Sequence, residues 1–299
     1  MIGIRKLPVL AAAMLAAGVA HGAHAQSSSN APAVPAPPDT LSKRWSSFLP
    51  LLGEEARKRG IELPLPFGAG LVLYYLDRDI LIRDVRIGRN GDPPASVSDY
   101  ATLSAESRVV NVNAKLDAWI LPFVNVYVIA GYLHNESDTR IDVELPPLLP
   151  GGPTRRRTMT VPTEMDGSVG GVGMTLAGGY GPYFMIVDLN AARADLGFDD
   201  RFDAFISSAR AGWNGRAGAY PFRAWANLTD WDTEATATGS VADPDGGNLA
   251  FEVDQGPAYR KTYGVGAQCA FRPSFELAAD VGFDLHGGWY LALVPVVRF

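Results

Sequence analysis

Residues 109–120 run Val109-Val110-Asn111-Val112-Asn113-Ala114-Lys115-Leu116-Asp117-Ala118-Trp119-Ile120. Val110, Val112, Ala114, Leu116, Ala118 and Ile120 are all apolar, and Asn111, Asn113, Lys115 and Asp117 lie between them. Side chains alternate faces along a strand, so this spacing builds one apolar and one polar face. A soluble strand can look the same. Here the pattern repeats: Val124, Val126, Val128, Ala130 and Tyr132 share one face of the next segment, and Phe275, Leu277, Ala279, Val281, Phe283 and Leu285 share another, opposite Glu276, Asp280, Asp284 and His286. Segments of about ten alternating residues separated by turn residues are the pattern of a transmembrane β-barrel. Lipid offers no hydrogen bonds, so strands that cross it must close on one another, apolar side outward.

The pattern predicts an all-β, antiparallel transmembrane barrel over residues 61–299. Short turns near 121–122, 178–182, 214–218 and 272–274 alternate with longer polar stretches near 90–106, 145–158, 192–200 and 233–248. Ten strands follow, near 67–89, 107–120, 123–144, 157–178, 182–192, 201–213, 219–232, 249–271, 274–286 and 288–299. Twelve is the alternative if Asp77-Arg78-Asp79 is a turn and a further hairpin lies within 134–166.

The start of the chain has a different character. Arg5 and Lys6 precede an apolar run from Leu7 to Ala20 and the small-x-small site Ala23-His24-Ala25, the layout of a secretory signal peptide over residues 1–25. A flexible, proline-rich linker is expected over 26–40. Leu41, Trp45, Phe48, Leu49 and Leu52 then recur at helical spacing, so a short amphipathic helix is expected over 41–60, beneath the barrel or capping its lumen.

Composition agrees with this picture while concealing it. Of 299 residues, 47% are hydrophobic and 19% charged, and the mean hydropathy of +0.03 resembles a soluble domain. With 26 basic and 32 acidic residues there is no basic stripe for nucleic acid. The single cysteine, Cys269, excludes an internal disulfide.

Alternation places Asn111, Asn113, Lys115, Asp117, Asp188, Arg223, Arg260, Glu276 and Asp280 on the lumen side. A narrow pore or transporter-like barrel for small solutes follows, with a structural or surface-interaction barrel acting through its extracellular loops as the alternative. No nucleophile elbow, phosphate loop or Cys/His cluster is present, so no enzyme activity, cofactor or metal is expected. His134 and Ser137 lie on opposite faces of one strand and cannot pair there. Asp284 and His286 share a face near a strand end, where the carboxylate could orient the imidazole for hydrolysis. Arg155-Arg156-Arg157 could meet lipopolysaccharide phosphates, and Asp243-Pro244-Asp245-Gly246-Gly247 suits a plain turn.

The final strand, Trp289 to Phe299, resembles the C-terminal strand of bacterial outer-membrane proteins, whose terminal aromatic residue is read by the barrel assembly machinery. Leu63-Pro64-Leu65-Pro66-Phe67-Gly68 and Asp117-Ala118-Trp119-Ile120-Leu121-Pro122-Phe123-Val124-Asn125-Val126-Tyr127 resemble a family of Gram-negative outer-membrane barrels described as transporters or virulence-associated proteins. The resemblance implies the outer membrane, contact with its lipid and lipopolysaccharide, assembly through Phe299, and no catalytic residues. Asp230-Trp231-Asp232 facing Asp284-Leu285-His286 resembles the acid pairs of omptin proteases, though in the fourth and fifth loops rather than the second and fourth.

Overall fold

The computed structural model describes residues 48–61, 63–89, 91–96, 101–145, 155–196, 202–233, 235–242 and 248–299. The signal peptide, the linker, Leu41, Trp45 and the 243–247 turn lie outside the described residues.

Among the described residues there is one helix, α1 (Gly53–Lys58), at the end of the segment expected to be helical over 41–60. Phe48, Leu49 and Leu52 precede it instead of forming its apolar face. The reason is local. Pro50 removes a backbone donor and disfavours the helical conformation at Leu49, and Leu52 is left-handed at φ 64.

Ten strands form the barrel: β1 (Phe67–Arg89), β3 (Ala101–Leu121), β4 (Val124–Leu145), β5 (Arg155–Tyr180), β6 (Tyr183–Asp195), β7 (Phe202–Ala217), β8 (Tyr220–Asp232), β11 (Lys261–Arg272), β12 (Phe275–Phe283) and β13 (Trp289–Arg298). Neighbours along the chain pair antiparallel, and β13 returns to β1 from Gly68↔Arg298 to Asp77↔Trp289, which closes the ring. Phe67 and Phe299 exchange backbone hydrogen bonds of 3.1 and 3.0 Å, with their rings stacked at 6.1 Å. Two-residue turns join strands at the end that carries Phe67 and Phe299, here the lower end. Gly181 and Gly218 supply the positive φ (59 and 61) that two of these tight hairpins require.

Asp77-Arg78-Asp79 is not a turn, because β1 runs straight through it. The segment 249–271, read as one strand, divides at 258–260 into β10 (Asn248–Pro257) and β11. The stretch 233–248 holds a strand of its own, β9 (Ala235–Ala242), and the two-residue β2 (Ala95–Ser96) pairs with β1. Arg155–Arg157 belong to the backbone ladder of β5 and not to a loop.

The β9–β10 hairpin explains how one strand serves two neighbours. Lower β1 pairs with β13, but from Ile80 to Arg89 it pairs with β10. Above the short strands β11–β13, β10 therefore takes β13's place beside β1, and β9 reaches β7. The upper sheet runs β9-β10-β1-β3-β4-β5.

Candidate functional site in the barrel interior

The outer wall sets the level of the interior. On β3 the outward residues Val110 to Ile120 are apolar, and Val110, Val112 and Leu116 are exposed. Ten residues at ~3.3 Å each, tilted by ~40°, give a belt ~25 Å tall, the thickness a transmembrane barrel needs. Aromatic side chains collect at its lower edge, among them Phe67, Phe123, Tyr180, Tyr183, Trp213, Tyr220 and Phe299. The upper edge is drawn by charge. Outward Asp77 sits 3.9 Å from Arg108, His134 bonds Asp166 at 2.8 Å, and Arg193 grips Asp203 at 2.5 and 2.8 Å. Asp77, Arg108, His134 and Arg193 lie one step above Tyr75, Val110, Tyr132 and Ala191, the last outward residues of the belt on their strands, and Asp166 lies one step above the exposed Ser168.

The opposite faces of the same strands fill the interior. Asn111, Asn113, Lys115, Asp117, Asp188, Glu276 and Asp280 are all buried there, and Arg223 is half-buried near the lower end with its guanidinium 5.8 Å from the Phe184 ring. Large inward aromatics have glycines opposite them on a neighbouring strand: Tyr127 faces Gly173, Trp225 faces Gly266 and Gly212, and Tyr290 faces Gly282. A Cβ at any of these glycines would meet a ring or the adjacent backbone. The glycine-rich strands therefore make room for lumen side chains, which the count of 32 glycines alone does not reveal.

Two apolar layers lie across the lumen. The upper one joins Tyr74, Leu76, Val109, Leu133, Val169, Phe202, Ile206, Trp231 and Tyr290. The lower one joins Val72, Phe184, Ile186, Trp225, Val294 and Val296. Polar groups fill the space they leave. Asp188 accepts from Tyr127 (2.8 Å) and Thr175 (2.6 Å). Asp280 accepts from Trp225, Asn227 and Tyr290, each at 2.7 Å. Near the lower mouth, Arg298 reaches Asp117 and Glu276, each at 3.3 Å, and these also accept from Asn125 and Gln268 at 2.7 Å. Gly68 lets Asp117 reach across β1 to Arg298, because a Cβ there would collide with the carboxylate.

Two expectations are corrected. Arg260 is not in the lumen. Inward parity would hold only if the strand continued through it, and the chain leaves the ladder at 258–260, so Arg260 swings outward to Asp230 (3.3 Å) and Asp232 (3.4 Å). Asp284 and His286 do not form a catalytic pair. The buried Asp284 carboxylate accepts the backbone N–H groups of His286 (2.8 Å) and Gly288 (2.9 Å) and so ties the tight turn. The His286 ring instead stacks on Tyr259 at 3.6 Å.

Sequence reasoning missed Arg210. It lies buried on the inward face of β7, its guanidinium 5.7 Å from the Trp225 ring. The alternation Phe202, Ala204, Ile206, Ser208, Arg210 against Asp203, Phe205, Ser207, Ala209 was the available signal. Neither Lys115 nor Arg210 has a hydrogen-bond acceptor among the described residues, and the side-chain amides of Asn111 and Asn113 also lack partners there.

No family model matches the chain, and no curated protein matches it. Among solved structures it is similar to the β domain of the Bordetella autotransporter BrkA, at 13% identity over 78% of this chain and 100% of that one, with a TM-score of 0.34. An outer-membrane channel from Pseudomonas putida F1 aligns at 12% identity over 80% and 97%, with a TM-score of 0.34. A Pseudomonas aeruginosa FadL homologue aligns at 11% over 90% and 96%, with a TM-score of 0.30.

Proposed function

We propose that the protein is a barrel of the Gram-negative outer membrane that works as a narrow pore for small solutes. The observation that supports this most is the set of polar atoms inside the belt with no partner among the described residues: the Lys115 ammonium, the Arg210 guanidinium and the amides of Asn111 and Asn113. Burying such groups dry costs several kcal/mol for a charge and about 1–3 kcal/mol for an amide. A barrel built only as a scaffold gains nothing from that cost, whereas a lumen that takes in water or solute recovers it. The apolar layers above and below then act as constrictions of a closed state, of the kind that gate by wetting.

The apolar belt would sit in outer-membrane lipid, the charged ring at its upper edge would meet lipopolysaccharide, and Phe299 at the closing seam would be the residue engaged during assembly. Single-channel recording in planar bilayers tests the pore. Discrete steps are expected, and their size should change on Lys115→Gln or Asp117→Asn. Silent bilayers with folded protein would refute the pore and leave a surface-interaction barrel, acting through the wall above the belt.

A further inference from the structure

The interior charges balance in number but not in hydrogen bonding. At mid-height two bases, Lys115 and Arg210, and two acids, Asp188 and Asp280, act on one another electrostatically. The acids are engaged by the protein. Asp188 takes two protein donors, and Asp280 takes three. The bases differ. Lys115 is 1% exposed and rests its ammonium 3.5 Å from the centre of the Tyr127 ring. Arg210 is 2% exposed and lies over Trp225. Neither makes an ion pair within 4.0 Å or a hydrogen bond with any described residue.

A lysine carries three donors and an arginine five, with no acceptor on either. The unmet demand of the two cations is therefore for acceptors, and the carboxylates nearest them already hold Tyr127, Thr175, Trp225, Asn227 and Tyr290. An aromatic face is a weaker partner for a cation than an anion is. Water would satisfy the asparagine amides equally well, but a small anion also answers the two cations.

We infer that Lys115 and Arg210 form an anion-binding step inside the lumen, taking a small inorganic or carboxylate anion whose oxygens or halide accept from both side chains. The inference rests on the pore reading and adds its selectivity. Both cations sit on long, flexible side chains, so each can leave its ring and turn to an anion without a change in the barrel wall. Tyr127 serves two purposes: its hydroxyl holds Asp188, which keeps that carboxylate from bonding Lys115 directly, and its ring face holds the ammonium while no anion is present.

The test is the reversal potential of the full-length folded protein in a planar bilayer under a KCl gradient. Chloride should permeate about tenfold or more better than potassium, the ratio that follows from about one net hydrogen bond to a charged group. Lys115→Gln combined with Arg210→Gln should bring the ratio to about one, and Lys115→Arg should keep the anion preference. Channels that prefer potassium, or whose ratio the double glutamine variant leaves unchanged, overturn the anion site and leave the pore standing. If the variants do not fold, the wild-type ratio decides alone. If the bilayers stay silent, the temperature at which the folded barrel loses its compact gel mobility is measured with and without inorganic phosphate at fixed ionic strength. An increase lost in the double variant supports the site without the pore, and no phosphate dependence overturns both.

Discussion

Strand β3 carries two opposite arrangements along its length. In its lower half Val110, Val112 and Leu116 face out while Asn111, Asn113 and Lys115 face in. In its upper half Glu106 and Arg108 face out while Leu103, Ala105 and Val109 face in. β4 does the same, with Val126, Val128 and Tyr132 outward below, and Glu136, Asp138 and Arg140 outward above. The backbone register never slips at the change, since β3 and β4 stay paired residue for residue from Ala101↔Val143 to Trp119↔Asn125. Only the medium outside has changed. Where the wall meets lipid the apolar face must turn out, and where it meets water the same pleat turns that face in, so the upper wall is a water-exposed sheet continuing from a membrane barrel.

The largest expected effect comes from placing one charge on each side of the change. Leu116→Arg puts a guanidinium at mid-belt and should cost about 2–4 kcal/mol of folded barrel. Ser104→Arg, outward on the same strand but above the charged ring, should stay within about 0.5 kcal/mol of wild type. Urea unfolding in liposomes, followed by heat-modifiable gel mobility, compares the two directly. Equal destabilisation would mean that the belt does not end where the polar ring begins. The converse change acts from within. Ile141 is buried inside the upper sheet, and Ile141→Ala should cost about 2–3 kcal/mol by opening a cavity. Val128→Ala, on the lipid-facing wall, should cost much less, because lipid refills the space.

What the sequence disclosed follows the same division. The ends of β1 could be read to the residue, and all four lower turns fell where Pro122, Gly181, Gly218 and Pro273 mark them, because lipid imposes a strict alternation and turn chemistry ends it. Residues 48–52 carry helical spacing yet are not helical, because that spacing runs across Pro50. The break between β10 and β11 was missed because residues 249–271 keep their alternation on both sides of it, and only the pairing of β10 with upper β1 shows that the wall changes neighbours there. Arg260 falls outside the lumen for the same reason. The partnered state of the lumen acids and the bare state of Lys115 and Arg210 could not be read at all, since each depends on strands far apart in the chain.

The glycine–aromatic pairs test how tightly the lower interior is filled. A Cβ on Gly266 would lie 2.5 Å from the indole of Trp225, whose ring nitrogen donates to Asp280. Gly266→Val should therefore cost about 1–3 kcal/mol by overpacking and should also shift Trp225 fluorescence through the displaced hydrogen bond. Gly170 lies on the outer wall, where an added Cβ would meet nothing within 4 Å, and should accept alanine with little change. If both substitutions behave alike, the inward glycines are not there to admit the aromatic rings.

The smallest expected effect lies on the boundary itself. His134, the first outward residue above the belt on β4, shares a hydrogen bond with Asp166 on β5, and Tyr132, Glu136 and Glu164 stand beside the pair. The bond to Asp166 raises the His134 pKa above its ordinary value, and the same bond, followed by the one from Tyr132, lowers that of Asp166. Folded His134 holds its proton more tightly than the unfolded chain does. Its contribution is complete below the unfolded value of about 6.5 and fades as pH rises through the folded value. Asp166 works in the opposite sense, contributing above its unfolded value of about 3.9 and losing that contribution as pH falls through its lowered folded value. The pair therefore stabilises the rim most between these limits, and a small fall in unfolding temperature is expected from pH 5.5 to 8. His134→Gln should flatten that slope, while high salt should shrink it, since the pair is open to solvent. A slope that survives the substitution would assign the pH dependence to other groups on the upper wall and leave His134 as a marker of the boundary, with no part in holding β4 to β5.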